Sequence, residues 1–376
     1  MFVVTGSASE PWPRPGCACL ACVAATDTAT LPDGVLGSST WSKPTGLTAG
    51  GLALDQLAPA PGATLEQDGV RLLGVPAGLV AGHAGRAVLW ARRPIDDDDL
   101  DGLADAGLDG AVLDLCDREP TALAHDVARL RRVGALAPGA DLIAVGLTHH
   151  HVPSRLVERL APWGVRLVTA GTEVGVGNTP PPRLPRRTLV LGPASSGKSA
   201  IAEDLLAAEP EVSYLATSPA PDGSDPEWAE RIRRHRARRP AWWTTIEPDD
   251  PAAIARGLAT PGPPVLLDSL GGWVGAVLTR CGAWEDRPGW SQRWQQEVEG
   301  MVQAWRACRR PVVAVGEETG WGVVPGTASG RVFRDALGTL TRRLAEQSER
   351  TLLVVAGRTL DLDQPPAPNR SRAAFS

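Results

Sequence analysis

Gly192 and the run Gly197-Lys198-Ser199 have the spacing G-x-x-x-x-G-K-S, which is typical of a phosphate-binding loop. The two glycines permit backbone angles that turn successive N–H groups toward an anion. The apolar residues before Gly192 predict a buried strand, and those from about Lys198 predict a helix whose positive end faces the same anion. Lys198 can then reach the outer phosphates of a nucleotide, and the Ser199 hydroxyl can bind Mg²⁺. A Gly/Ser-rich turn without a ligand is the alternative interpretation.

His235 is the second residue with chemistry of this kind. It lies on a predicted helix over residues 226–239 that also carries six arginines. Arg231, His235 and Arg238 share one face of that helix through their i, i+4, i+7 spacing. A solvated basic face is the plain interpretation, but a neutral imidazole close to a phosphate loop can also attack a phosphoryl group. RNA binding by this patch is disfavoured because interleaved aromatic residues are lacking.

Carboxylates end two of the predicted strands. Asp268 closes the apolar run 264–267, which is where phosphate-loop enzymes place an aspartate that orients Mg²⁺. A helix N-cap is a compatible role for the same side chain. Glu247 stands at the end of a predicted strand over 242–248. Further strands over 212–217, 310–318 and 351–357 complete a mostly parallel sheet with flanking helices.

The length of 376 residues predicts two domains. The composition, 43% hydrophobic and 22% charged, is typical of a soluble globular protein, and a net charge of −5 does not indicate a nucleic-acid-binding chain. No apolar run has membrane-spanning length and no secretory segment opens the chain, so we expect no membrane span and a cytoplasmic location. The predicted organisation is a first domain over 1–175, a Pro/Gly linker over 176–186, a second domain over 187–362 and a disordered tail over 363–376.

The first domain has the alternating pattern of an α/β fold. Short apolar runs over 87–91, 110–115 and 142–147 predict strands, and the segments 99–104 and 122–130 predict helices. The acidic run 96–99 lies where the first of these helices would start, and a solvated helix N-terminus is its simplest interpretation. A metal-binding acidic cluster is the alternative.

Three cysteines, Cys17, Cys19 and Cys22, fall within six residues. Three clustered thiolates need a fourth ligand to complete a tetrahedral zinc site, and the run His149-His150-His151 offers one. Unligated thiols and solvent-facing histidines are the alternative. The spacing alone leaves both interpretations open.

The first domain resembles the metallo-β-lactamase-fold phosphodiesterases of the phosphonate-utilisation type. The similarity lies in the opening Thr5-Gly6-Ser7-Ala8, in Pro13-Arg14-Pro15-Gly16-Cys17-x-Cys19-x-x-Cys22 and in the segment 145–165. It implies a truncated fold of that kind with a structural zinc held by Cys17, Cys19, Cys22 and His149. The family's H-x-H-x-D-H motif is absent, and Gly146 stands where the family has a catalytic-metal histidine. We therefore expect a degenerate, non-catalytic domain, with an active metal-dependent phosphodiesterase as the alternative.

The second domain resembles the bifunctional adenosylcobinamide kinase/adenosylcobinamide-phosphate guanylyltransferase family of cobalamin synthesis. Besides the phosphate loop, the similarity is carried by Tyr214-Leu215-Ala216-Thr217-Ser218, Arg231-Ile232-x-x-His235-Arg236-x-x-Arg239, Trp243-x-Thr245-x-Glu247-Pro248, Leu266-Leu267-Asp268-Ser269-Leu270, the segment 317–325 and Gly330-Arg331-Val332-Phe333-Arg334-Asp335-x-x-Gly338.

This second resemblance implies two reactions. Adenosylcobinamide is phosphorylated with ATP or GTP, and GMP passes from GTP to adenosylcobinamide phosphate through a GMP-histidine at His235, with Mg²⁺ and Lys198 assisting. It also implies a homo-oligomer. The implied nucleotide contacts are Gly192, Pro193, Ala194, Ser195, Ser196, Gly197, Lys198, Ser199, Ala216, Thr217, Ser218, His235, Arg236, Ala237, Arg238, Glu247 and Asp268, and the implied Mg²⁺ ligands are Ser199 and Asp268. A regulatory nucleotide-binding module without transfer activity is the alternative.

Overall fold

The computed structural model describes residues 1–6, 46–57, 59–115, 118–148, 150–168, 171–174, 180, 182–217, 226–248 and 250–364. The chain divides into two compact units, the first comprising Met1–Arg183 and Leu205–Pro210 and the second Leu184–Asp204 and Glu211–Ser376. The main division, between Arg183 and Leu184, falls inside the segment with the linker composition. In the described part of the chain, no helix is both long and apolar enough to cross a membrane.

The first unit, as described, contains two sheets. Its strands are β1 (Phe2–Gly6), β2 (Gly46–Ala49), β3 (Leu52–Ala53), β4 (Thr64–Gln67), β5 (Val70–Val75), β6 (Gly78–His83), β7 (Arg86–Ala91), β8 (Leu108–Asp114), β9 (Leu136–Val145), β10 (Val165–Leu167) and β11 (Thr172–Val174). The smaller sheet, in the order β11-β1-β2-β3, is antiparallel. The larger sheet has the order β10-β9-β8-β7-β6-β5-β4, antiparallel from β4 to β7 and parallel from β7 to β10.

Parallel neighbours need a crossover connection, and helices provide two of them here. Helix α1 (Pro120–Arg132) lies between β8 and β9, and helix α2 (Pro153–Leu160) lies between β9 and β10. The predicted strands over 87–91, 110–115 and 142–147 and the predicted helix over 122–130 are therefore confirmed, with longer bounds. The likeness of this unit to the metallo-β-lactamase fold stays a prediction.

The predicted helix over 99–104 is wrong, because only a short 3-10 turn, Asp97–Asp99, forms there. Asp99 is 1% exposed. Its carboxylate accepts hydrogen bonds from the Arg93 guanidinium at 2.7 and 3.0 Å and from the backbone N–H of Asp96 at 2.9 Å. The acidic run is thus not a wholly solvated helix start, since the ion pair between the buried Asp99 carboxylate and Arg93 fixes the turn. No group of acidic, histidine or cysteine side chains suited to a metal is found among the described residues.

The second unit is a sheet flanked by helices. Its elements are β12 (Arg187–Gly192), α3 (Lys198–Leu205), β13 (Ser213–Ala216), α4 (Pro226–Arg238), β14 (Thr244–Ile246), α5 (Pro251–Ala259), β15 (Val265–Asp268), α6 (Leu270–Cys281), α7 (Trp290–Ala307), β16 (Val312–Glu317), α8 (Ala328–Ala345), β17 (Arg350–Val355) and β18 (Arg358–Asp361). The order is β14-β13-β15-β16-β12-β17-β18, and every pair is parallel except β17 with β18. The predicted mostly parallel sheet is confirmed.

Burial of apolar side chains explains this arrangement. Strand β12 is almost wholly buried, as expected for a strand covered on both faces. Helices α6, α7 and α8 pack on one face, where Trp273, Trp294 and Trp305 join one hydrophobic core with residues of β12, β15 and β16. Because β12 lies between β16 and β17, its phosphate loop leaves the sheet in the middle of the carboxyl edge. Open α/β sheets bind their ligands at that edge.

Candidate active site

The phosphate loop joins β12 to α3 in a backbone shape that its glycines allow. A Cβ atom on Gly192 would lie 2.5 Å from the Val354 carbonyl oxygen and 2.6 Å from Ser196 Oγ, so no larger residue fits without displacement. Gly197 has a φ of +96°, in the region that favours glycine, and Ser195 has a φ of +57°. This geometry is the strand, loop and helix start expected from the sequence.

Two polar side chains of the loop are buried without a full set of partners. Ser196 is 6% exposed, and its Oγ has no hydrogen-bond partner among the described residues. Lys198 is 5% exposed, and its Nζ donates to the Pro193 carbonyl at 3.2 Å within the same loop. Among the described residues, no carboxylate forms an ion pair with this buried ammonium, so it lacks a balancing charge there. An anionic phosphate placed in the loop would supply that charge.

Asp268, at the carboxyl end of β15, brings the other site residues together. The Tyr214 hydroxyl donates to Asp268 Oδ2 at 2.8 Å, and the Ser199 side chain lies close enough to the same carboxylate to lower its pKa. His235 Nδ1 lies 3.7 Å from Asp268 Oδ2. Burial alone would raise the pKa of Asp268, but the nearby His235, Tyr214 and Ser199 side chains lower it overall, so the carboxylate is held ionised.

The arginines around His235 anchor helix α4 to three other elements. Arg238 forms two hydrogen bonds with Glu203 of α3, at 2.9 and 3.2 Å. Arg236 pairs with Glu247 at 2.5 Å, just beyond the end of β14. The Arg239 guanidinium carbon lies 3.7 Å from the centre of the Tyr214 ring, on β13. The position of His235 beside Asp268 is therefore set by ion pairs and a cation–π contact.

The turn after β13 is tied to the turn after β15. The Thr217 hydroxyl donates to the Ser269 carbonyl at 2.5 Å, and the Ser269 N–H donates to Thr217 Oγ1 at 2.9 Å. Ala216 pairs in register with Asp268. These contacts put Ala216 and Thr217 beside Asp268, as a shared nucleotide site requires. Ser218, assigned to the same site from the sequence, lies outside the described residues.

The structure therefore groups the predicted site residues unevenly. Ser199, His235 and Asp268 meet directly, and Lys198 lies in the loop that leads to them. Ala237 is exposed on α4. Arg236 and Arg238 are engaged by carboxylates rather than directed to an open space. The nucleotide contacts assigned from the sequence stay predictions, since the resemblance gives them and the geometry is compatible with them.

Sequence reasoning missed two residues of the site, Tyr214 and Glu203. Burial raises the pKa of Glu203, the Arg238 ion pair opposes this shift, and the Asp268 carboxylate adds to it. Burial and the adjacent Asp268 raise the pKa of the Tyr214 hydroxyl, so it is a constant hydrogen-bond donor. Tyr214 is the single tyrosine of the chain and lies within the predicted strand over 212–217, which is a signal that could have identified it.

Mg²⁺ fits the residues present. A hydroxyl from Ser199 and a carboxylate from Asp268 are the hard oxygen ligands that Mg²⁺ prefers, and one or two protein ligands are usual when phosphates supply the rest. The two side chains lie close to each other, so a single ion can contact both. Zinc cannot be tested in the same way, because Cys17, Cys19, Cys22 and His149 all lie outside the described residues.

One histidine of the predicted zinc-ligand run lies within the description. His151 is 8% exposed, and its Nδ1 accepts a hydrogen bond from the Thr148 N–H at 3.1 Å. The alternative interpretation of solvent-facing histidines therefore does not hold at this position. The dinuclear site of an active phosphodiesterase gains no support, since the described residues hold no cluster of metal-ligating side chains.

A mostly parallel sheet with a phosphate loop at the middle of its carboxyl edge places the second unit among the phosphate-loop nucleotide-binding proteins. A family profile described as "Cobinamide kinase / cobinamide phosphate guanyltransferase" matches residues 188–362. The Pseudomonas aeruginosa bifunctional adenosylcobalamin biosynthesis protein CobP is 40% identical over 184 residues, which are 48% of this chain and 99% of that protein. The chain belongs to the cobinamide kinase/cobinamide phosphate guanyltransferase family.

Two further relatives carry names that agree with this family assignment. The bifunctional adenosylcobalamin biosynthesis protein CobU of Salmonella typhimurium is 36% identical over 176 residues, covering 45% of this chain and 95% of that protein. The Escherichia coli protein of the same name is 34% identical over 175 residues, with the same coverages. Among solved structures, an ATPase domain gives a TM-score of 0.26 at 11% identity over 45% of this chain and 68% of that one, values that carry no argument.

Proposed function

We propose that the second unit phosphorylates adenosylcobinamide with ATP or GTP and transfers GMP from GTP to adenosylcobinamide phosphate through a covalent GMP on His235. Membership of the family supports the pair of reactions. The observation that carries the assignment of His235 is its distance of 3.7 Å from the Asp268 carboxylate, which also contacts Ser199 of the phosphate loop. An imidazole at that place is within reach of a nucleotide held by the loop.

The Asp268 carboxylate defines which nitrogen of His235 reacts. A carboxylate facing Nδ1 favours the tautomer that carries its proton there, which leaves the Nε2 lone pair for attack. Nε2 bonds to the α-phosphorus of GTP while the bond from that phosphorus to the bridging oxygen breaks and pyrophosphate leaves. The cationic imidazole that results is stabilised by Asp268, as in other histidine–carboxylate pairs.

The second half of the transfer regenerates the enzyme. An oxygen of the phosphate on adenosylcobinamide phosphate attacks the phosphorus bonded to His235, and the nitrogen–phosphorus bond breaks. GMP is thereby passed to the acceptor, and the neutral imidazole returns with its Nδ1 proton still facing Asp268. Arg238 and Glu203 hold α4 in place during both steps.

The kinase reaction uses the phosphate loop. The hydroxyl of adenosylcobinamide attacks the γ-phosphorus, its proton is released to water, and the bond from that phosphorus to the departing nucleoside diphosphate breaks. Lys198 exchanges its contact with the Pro193 carbonyl for the phosphate oxygens, where its charge opposes the developing negative charge. Mg²⁺, when held by Ser199 and Asp268, neutralises phosphate charge.

Labelling of the full chain with α-³²P-GTP tests the proposal. We expect the wild-type chain to retain covalent label that maps to His235, and His235→Ala to retain none. His83→Ala is the matched control, because His83 lies on β6 of the first unit and its Nδ1 is 3.2 Å from the Gly69 carbonyl oxygen. A regulatory module without transfer activity would bind GTP and take no label. A His235→Ala chain that labels as well as wild type would contradict the assignment.

The proposal extends to the location of the enzyme in the cell, its self-association and its metal content. A cytoplasmic location is supported by the use of nucleoside triphosphates as substrates. Self-association into a homo-oligomer, implied by the family, is tested by sedimentation of the full chain. The structural zinc at Cys17, Cys19, Cys22 and His149 stays a prediction, and metal analysis of the purified protein tests it.

A further inference from the structure

Two segments that border the phosphate loop are fixed to its backbone. The N–H of Glu318, just after β16, donates to the Gly192 carbonyl at 3.0 Å. The N–H of Gly357, in the turn between β17 and β18, donates to the Ser196 carbonyl at 2.9 Å. Because β16 and β17 are the two neighbours of β12, these segments border the loop on both sides of its strand.

Both segments present large apolar side chains to the outside. Trp321 is 63% exposed, Val323 96% and Val324 61% in the segment after β16, and Val355 is 45% exposed at the end of β17. We call these four side chains the apolar rim. Exposed apolar side chains gathered beside a site indicate a binding surface more often than do single ones scattered over a protein.

The segment that carries three of these side chains is held at both ends. Its start is fixed by the Glu318 hydrogen bond to the loop. Its end is fixed by Arg331, whose Nη1 donates to the carbonyls of Pro325 and Gly326 at 3.0 and 3.1 Å. Thr327 then caps α8 by accepting from the Gly330 N–H at 3.1 Å. Trp321 and its exposed neighbours therefore lie in a segment whose two ends are held in place by hydrogen bonds.

The groups at the carboxyl edge of the sheet therefore differ from one part of the edge to the other. Beyond β13 and β15 stand polar and ionised groups, namely Thr217, Asp268 and the apposed His235. Beyond β16 and β17 stands the apolar rim, with the carboxylates of Glu317 and Glu318 at the end of β16. The phosphate loop follows β12, which lies between β16 and β17, so the apolar rim borders a phosphoryl group held in the loop, and the polar groups of β13 and β15 stand beyond β16.

We propose that the apolar rim binds the corrinoid acceptor, and this inference rests on the proposed function. Both reactions need an acceptor that reaches the phosphate loop from outside the nucleotide. A corrinoid is a broad macrocycle with extensive hydrocarbon surface, which matches Trp321, Val323, Val324 and Val355 and does not match a triphosphate.

Kinetics of a rim variant test this assignment. In the full chain, we expect the double substitution Trp321→Ala, Val323→Ser to raise KM for adenosylcobinamide and for its phosphate by about tenfold or more, equivalent to about 1.4 kcal/mol. KM for GTP and the amount of covalent GMP should stay at the wild-type value. Trp284→Ala is the matched control, since Trp284 is 37% exposed and follows the C-terminal end of α6, away from the carboxyl edge.

Three results would overturn the assignment. The first is an unchanged acceptor KM in the rim variant. The second is a parallel loss of GMP labelling, which would place the rim in the nucleotide site. The third is a change in oligomeric mass without a change in acceptor KM, which would make the rim an interface between copies.

A wild-type chain that takes no label from α-³²P-GTP would instead refute the proposed function. The rim is then tested without turnover, by equilibrium dialysis of cobinamide against the wild-type and double-variant chains. Stronger retention by the wild type supports the rim as the corrinoid surface, and equal or absent retention overturns it.

Discussion

The ion pair between Glu203 and Arg238 gives a sharp test of how His235 is placed. Glu203 lies on α3, the helix that begins at the phosphate loop, and Arg238 lies one helical turn beyond His235 on α4. Substituting Glu203→Gln keeps the size of the side chain and removes its charge. The carboxylate that joins the two helices becomes a neutral amide, and Arg238 loses its partner.

The magnitude follows from the two hydrogen bonds, at 2.9 and 3.2 Å, and from their burial. The Glu203 side chain is 11% exposed, but that of Arg238 is 42% exposed, so water replaces part of the lost contact. A charge-assisted hydrogen bond contributes about 1.5–3 kcal/mol when fully formed, and the exposed arginine lowers the effect to about 1–2 kcal/mol. If that energy holds α4 in its reactive place, the rate of GMP transfer to His235 falls by about 5- to 30-fold.

Single-turnover labelling with α-³²P-GTP measures this rate, with GTP at saturation so that binding does not enter. Glu230→Gln is the matched control, because Glu230 pairs with Arg233 on the same helix at 2.7 Å but at the surface. We expect the control to label at the wild-type rate. A Glu203→Gln chain that also labels at the wild-type rate would refute the argument that this ion pair positions the histidine.

Two further predictions concern the loop and the first unit. Gly192→Ala places a Cβ atom 2.5 Å from the Val354 carbonyl, so we expect a loss of stability of about 1–3 kcal/mol and weaker GTP binding by calorimetry, while Gly338→Ala on α8, where nothing lies within 4 Å, should lower neither. Burial raises the pKa of Asp126 to about 6 against the opposing effect of Arg118, so the folded first unit favours the protonated acid. The contribution of protonated Asp126 to the free energy of unfolding is therefore complete below its ordinary pKa of 3.8. It is lost as pH rises through about 6, and the loss is at most about 3 kcal/mol. The free energy of opening, measured by hydrogen exchange of α1 amides between pH 4 and 7, should decline in wild type and not in Asp126→Asn. Equal dependence on pH in the two chains would contradict this prediction.

The phosphate loop and the parallel sheet could be predicted because they depend on local patterns. The spacing from Gly192 to Ser199 sets the backbone shape of the loop, and uninterrupted apolar runs predict strands buried on both faces. The sequence also placed Asp268 at a strand end. It could not place His235 beside Asp268, because that proximity depends on the order of β13, β15 and β12 in the sheet and on the anchoring of α4.

Tertiary contacts also explain the errors. The segment 99–104 has helical periodicity, but the ion pair between Arg93 and the buried Asp99 carboxylate stabilises a short turn instead. Glu203 resembles any surface acid of a helix in sequence, and its importance arises because a neighbouring helix brings Arg238 to it. Tyr214 was part of a family pattern, yet its contact with Asp268 becomes visible only when the two strands pair side by side.

The shared carboxylate of Asp268 has a consequence for how the two activities can be separated by mutation. The same side chain contacts Ser199, which serves phosphorylation, and faces His235, which serves GMP transfer. Under the proposed function, a change at position 235 leaves a chain that still phosphorylates its substrate. A change at position 268 impairs both activities together. Genetic screens for variants with a single activity should therefore recover substitutions of the histidine and never of this aspartate.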